Sequence, residues 1–134
     1  MALPLVHHVG FVIASIAGGI DSFARSVQAV AKSAIIHDPI QDVRVAFLKT
    51  PLGGPLIELV EPASEKSPVA KFLSRGGGLH HLCYEVPDLA EQLSAARACR
   101  CAVVRSPQPA VAFGGRPIAW VVTREKLLIE YLQR

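Results

Sequence analysis

A chain of 134 residues, 51% hydrophobic and 19% charged, is long enough to bury a sizeable core and too apolar to be disordered. Its formal net charge of +3 comes from Lys and Arg placed singly, with no basic run, which excludes a nucleic-acid footprint. There is no stretch of about eighteen apolar residues for a membrane span, and the opening MALPLVHH lacks the features of a signal peptide.

Residues 3–13 read as a strand, with Val6, His8, Gly10 and Val12 on one face. His7, Val9, Phe11 and Ile13 form the other, more apolar face, which is the one to carry a helix. Gly10 leaves room beside His8. Ser15 is the N-cap of a helix over 16–31, whose first turn Gly18 and Gly19 weaken by about 1 kcal/mol each relative to Ala. A loop around His37, Asp38 and Pro39 leads to strands at 43–49 and 55–60, joined by PLGG. Glu58 lies inside the second of these, in LIELV. There a carboxylate is either on a surface-facing edge or buried with a partner or metal.

EPASEK then connects to a short helix, SPVAKFL, with Ser67 as cap and Pro68 in its first position, ended by RGGG. The strand LHHLCYEV follows, and then a helix that Asp88 and Glu91 open with capping-box spacing. Strands near 101–105, 117–123 and 126–132 complete the chain, with SPQPAVAFGG as an irregular loop before the penultimate one. Cys83, Cys99 and Cys101 are an odd number without zinc spacing, as expected of reduced thiols in a cytoplasmic protein.

The second half copies the first. An offset of 73 positions relates His8 to His81, Ile13 to Val86, Ser15 to Asp88 and Ile16 to Leu89, and one of 72 relates Glu58 to Glu130. Each half thus brings a histidine early in its first strand and a glutamate late in its last. Folding the halves about a pseudo-twofold axis would gather two imidazoles and two carboxylates, a mixed nitrogen and oxygen shell for a divalent transition metal. Strand parity selects His8 and His81 as the ligands. His7 and His80, on the helix-facing sides, read as partly buried structural residues.

The repeat, with HHVG and GLHHL, and IELVEP and LIEYLQ, resembles the vicinal oxygen chelate superfamily, which includes glyoxalase I, methylmalonyl-CoA epimerase, extradiol dioxygenases and the bleomycin and fosfomycin resistance proteins. The run SPVAKFLSRGGGLHHLCYEV is most similar to the methylmalonyl-CoA epimerases. The resemblance implies an α+β fold: two tandem βαβββ modules forming a curved eight-stranded mixed β-sheet with helices outside. They make one domain, with module one at 1–62, a linker and short helix at 63–78, and module two at 79–134. It also implies metal ligands His8, Glu58, His81 and Glu130, with cobalt, manganese, nickel, zinc or magnesium as the ion. The implied activity is that of an epimerase moving the proton alpha to a thioester carbonyl of an acyl-CoA, with Glu130 as acid/base. A glyoxalase I-like lyase and a metal-free small-molecule binding or resistance protein are the alternatives on the same scaffold. A homodimer, with no nucleic-acid or membrane partner, is the expected assembly. The position that carries a second acid in some epimerases holds Val45, which leaves His37, Asp38 and Asp42 as candidates for the opposite face of the substrate.

Overall fold

The computed structural model describes residues 3–134, which divide into two compact units. One runs His8–His80; the other joins the residues before His8 to His81–Arg134. Strands β1 (Leu5–Val12) and β6 (Gly78–Val86) cross the two boundaries.

In the first unit β1 is followed by helix α1 (Ile16–Val27) and strands β2 (Val30–Ala31), β3 (Ile36–Asp38), β4 (Val43–Lys49) and β5 (Leu56–Pro62), then the short helix α2 (Ala70–Ser74). β5 lies between β1, to which it is parallel, and β4, to which it is antiparallel, while β2 and β3 both pair with β4. In the second unit β6 precedes helix α3 (Leu89–Ala98) and strands β7 (Ala102–Pro109), β8 (Pro117–Val122) and β9 (Leu128–Gln133). Here β9 lies between β6, again parallel, and β8, and β7 pairs with β8. The α+β class and the tandem βαβββ order are as expected. Nine strands form among the described residues rather than eight, because Val30–Ala31 and Ile36–Asp38 meet opposite ends of the same strand.

Each helix docks on one face of its own unit's strands through the same devices. In the first unit Ile16, Ile20 and Phe23 pack with Phe11, Ile13, Ala46, Leu48 and Leu59. In the second, Leu89, Leu93 and Ala96 pack with Val86, Ala119, Val121 and Tyr131. The Phe11 face of β1 therefore carries the helix, as strand parity predicts. Ser15 Oγ accepts from Gly18 N and Asp88 Oδ1 from Glu91 N, satisfying first-turn donors that have no partner within the helix. The first N–H of each helix is taken by the last strand of its unit: Glu61 Oε2 accepts from Ile16 N at 2.9 Å, and Gln133 Oε1 from Leu89 N at 3.2 Å. The capping residue stands three positions after Glu58 in one unit and three after Glu130 in the other.

Four expectations need correction. Helix α1 stops at Val27, where Gln28 turns left-handed, instead of continuing to 31. Helix α2 begins after Val69, not after Ser67, and has no side-chain cap hydrogen bond. The stretch Ser106–Pro109 is part of β7, and only Val111–Phe113 beyond it forms a 3-10 turn. Gly19 does more than weaken its helix: a Cβ there would lie 2.4 Å from Ile13 Cδ1 and 3.0 Å from Leu59 Cδ1, so its absence lets α1 approach the sheet.

Candidate functional site

In each unit the strand face turned away from the helix carries a His–Glu pair. In the first unit Gly10 stands opposite Glu58 in the parallel β1–β5 register, and His8 lies two residues before Gly10 on the same face. His8 Nε2 and Glu58 Oε1 are 3.3 Å apart, and both residues are buried. In the second unit Cys83 stands opposite Glu130, with His81 two residues before it. His81 Nε2 and Glu130 Oε1 are 3.5 Å apart and also buried.

Those separations bear on what the pairs can hold. Direct N–H···O hydrogen bonds run about 2.7–3.2 Å, so both pairs are slightly long for one. Neighbouring donors on a divalent first-row ion, each bound at about 2.0–2.2 Å, stand roughly 3.0–3.5 Å apart. Imidazole nitrogen with carboxylate oxygen is also a donor set such ions accept. Each pair therefore fits as half of a metal shell.

An aromatic ring packs against each imidazole. Phe47, opposite Glu58 on β4, meets His8 edge to face at 5.5 Å between ring centroids. Trp120, opposite Glu130 on β8, meets His81 in the same manner at 4.7 Å. The two rings are 73 positions apart, the offset of the histidines themselves, so the sequence held this signal although the ligands alone do not reveal it. His7 and His80 are half-buried instead, edge-on to Phe113 at 5.2 Å and to Phe72 at 4.9 Å.

The candidates for a second acid/base fare differently. Val45 is buried on the Glu58 face of β4, opposite Val60. His37 pairs with Arg44, which puts it on the other face. Asp38 is on the Glu58 face and buried, but its carboxylate accepts from Ile40 N, Gln41 N and Gln41 Nε2, which shapes the turn into β4. Asp42 accepts from the Ser64 hydroxyl. None of the three combines the right face with an uncommitted carboxylate or imidazole.

A family model described as Glyoxalase/Bleomycin resistance protein/Dioxygenase superfamily matches residues 7–120. The ethylmalonyl-CoA/methylmalonyl-CoA epimerase of Cereibacter sphaeroides is 34% identical over 86 residues, which are 63% of this chain and 63% of that protein. The chain thus spans less than two thirds of the length of that relative. The uncharacterized protein YqjC of Bacillus subtilis is 33% identical over 123 residues, 88% of this chain and 82% of that one. Among solved structures, a methylmalonyl-CoA epimerase from Mycobacterium tuberculosis superposes with a TM-score of 0.84 at 26% identity, covering 99% of this chain and 91% of that one. No helix of the described residues is long and apolar enough to cross a membrane.

Proposed function

Since the chain belongs to the glyoxalase/bleomycin resistance/dioxygenase superfamily, we propose that its two His–Glu pairs share one divalent metal ion and that it is an epimerase-like isomerase acting on an acyl thioester of the methylmalonyl-CoA kind. The observation that carries this reading is the repetition of one buried His–Glu pair, at 3.3 and 3.5 Å, on matched strands of both units. The epimerase relatives support the reaction class.

His8, Glu58, His81 and Glu130 are the ligands, two neutral imidazoles and two carboxylates whose charges balance a divalent ion. When bound, the metal polarises the thioester carbonyl and stabilises the charge that grows on its oxygen as the alpha proton leaves. Glu130 would take that proton, serving as both a ligand of the metal and the acid/base group. Trp120 beside His81 excludes water and keeps the ring in place. With Val45 on the first unit's face and Asp38 committed to its turn, neither of these residues offers a base to the opposite face of the alpha carbon. Proton exchange through Glu130 is therefore faster than inversion, which waits on water. The three free cysteines support a reducing, cytoplasmic setting, and the exposed Leu3, Leu5 and Leu79 support a homodimer, which a monomer mass by light scattering would contradict.

The test is exchange of the alpha proton of a 2-methylmalonyl-type thioester in deuterated water. Wild type should exchange faster than it inverts. Glu130→Gln should keep metal through its amide oxygen and lose exchange by roughly two to four orders of magnitude, the worth of a positioned base. Full exchange in a metal-loaded Glu130→Gln protein would remove Glu130 from the role. A wild type that exchanges no acyl thioester would put the epimerase reading behind that of a metal-free binding protein.

A further inference from the structure

Strand β7 does not run evenly along β8. Ala102 and Val103 pair with Val122 and Val121, but Arg105 pairs with Trp120 and Gln108 with Ile118. One extra residue therefore enters β7 between Val103 and Arg105, and another between Arg105 and Gln108. In an unbroken ladder Arg105 would stand opposite Ala119, in the apolar layer under α3. The first bulge turns it instead to the face of Trp120, which is the face of His81 and Glu130. Without the second bulge Gln108 would oppose Pro117 and point away; with it, Gln108 joins Arg105 on that face. Bulges recur beside functional sites because they re-aim a side chain in this way.

Arg105 and Gln108 are both half-buried, and Arg105 Nη2 donates to Gln108 Oε1 at 3.2 Å, one of the contacts that hold the guanidinium. Arg105 is also the single Lys or Arg within β6, β7, β8 and β9. The same face carries the acids Glu85 and Glu130 together with His81, Trp120, Ile118 and Leu132. The first unit has no equivalent: the residue 73 positions earlier is Lys32, exposed and outside any strand. A device present in one unit only can orient an asymmetric ligand.

We propose that Arg105, held by Gln108, recognises an oxyanion of the substrate, either a carboxylate on the acyl group or a phosphate of its carrier. A planar fork of N–H donors suits both groups. The inference rests on the acyl-thioester reading above and deepens it by naming the charged feature the substrate must carry.

Equilibrium binding to the purified full chain tests it without relying on turnover. Calorimetric titration would compare wild type with Arg105→Ala and Arg105→Lys, using malonyl-CoA, acetyl-CoA, malonyl-pantetheine and acetyl-pantetheine as ligands. Arg105→Ala should weaken malonyl-CoA by roughly 10- to 100-fold, the worth of a hydrogen-bonded charge, with partial recovery in Arg105→Lys. If the loss persists with malonyl-pantetheine and vanishes with acetyl-CoA, the oxyanion is the acyl carboxylate. If it persists with acetyl-CoA and vanishes with malonyl-pantetheine, it is a phosphate. Equal loss with acetyl-pantetheine, which has neither, overturns anion recognition, as does unchanged malonyl-CoA binding in Arg105→Ala of normal melting temperature. A wild type that binds none of the four overturns the acyl-thioester reading and this inference together. Binding without an Arg105 effect overturns this inference alone.

Discussion

Trp120 stands edge-on to His81, 4.7 Å between ring centroids, and its register partner across the sheet is Glu130, so one indole backs both members of a His–Glu pair. Replacing it by Leu keeps an apolar side chain but frees the imidazole to tilt. Trp120→Leu should weaken metal binding by roughly 2- to 10-fold, the range of an aromatic pair, without changing the number of ions bound. Phe47→Leu should do the same to a smaller degree, since its ring stands 5.5 Å from His8. Metal titration of the two variants would settle it, and unchanged affinity in both would show that the rings only fill space.

The adjacent histidines of β6 should separate cleanly. His81 is buried beside Glu130, whereas His80 is half-buried against Phe72. His81→Ala should lose more affinity for metal than the roughly 10- to 100-fold that removing a supporting residue costs. His80→Ala should keep its metal and melt at a lower temperature. Elemental analysis of the untagged proteins reads the first effect and thermal unfolding the second. Equal metal in wild type and His81→Ala would sink the ligand assignment.

What the sequence made legible was what the duplication doubled. The 73-residue offset relates the strands, the N-caps Ser15 and Asp88 and the two histidines, because each half must solve the same packing problem with the same pattern. Of the features that occur once, the short helix in SPVAKFL is legible, but others are not. The two bulges of β7 leave no mark in a run such as VVRSPQP, since a bulge is a register shift against a partner strand and not a local preference. Helix α1 ended early for a similar reason: its close follows from Gln28 adopting a left-handed turn, which Gln does without advertising it in composition. Asp38 looked like a loop acid open to substrate, and only its three accepted hydrogen bonds show that it shapes a turn.

Gly18 and Gly19 should respond to alanine with opposite signs, although both lie in the first turns of the same helix. A Cβ on Gly18 would meet nothing nearer than Ser15 Oγ at 3.7 Å, so Gly18→Ala gains helix propensity of up to about 1 kcal/mol. At Gly19 the same gain is set against overpacking. Ile13 Cδ1 at 2.4 Å can swing aside, but Leu59 is fully buried and its Cδ1 lies 3.0 Å away, and crowding of this kind costs about 1–3 kcal/mol. Gly19→Ala should therefore be destabilised by about 1–2 kcal/mol in urea unfolding. If it were as stable as Gly18→Ala, the close approach of α1 to β5 would not be what requires glycine.

Acid sensitivity should centre on Glu85. Its Oε2 accepts from Arg116 Nη2 at 2.8 Å and its Oε1 from Arg134 Nε at 3.2 Å, while Arg134 also donates to Leu3 O and Arg116 to Gln133 O. One carboxylate thus ties the ends of β6 and β9 to the chain's first described residue. The Arg116 hydrogen bond holds the Glu85 carboxyl below its ordinary value of 4.5, with partial burial acting against it and Arg134 reinforcing it. A lowered pKa in the folded state means that folding favours the charged form. The stabilisation is present in full above the unfolded value and is lost as pH falls through the folded one. Glu85→Gln keeps an acceptor for one arginine but removes the charge. Its stability deficit against wild type should be constant near neutrality and shrink once pH drops below 4.5, where the carboxylate of the unfolded wild-type chain takes up a proton that the folded one still resists. About 1 M salt should reduce the neutral-pH deficit, because the pairs are partly exposed and ions screen them. Urea midpoints of both proteins from acid to neutral pH give the curve. A deficit that stayed level throughout would mean that the ends of β6 and β9 are held by packing and not by this charge.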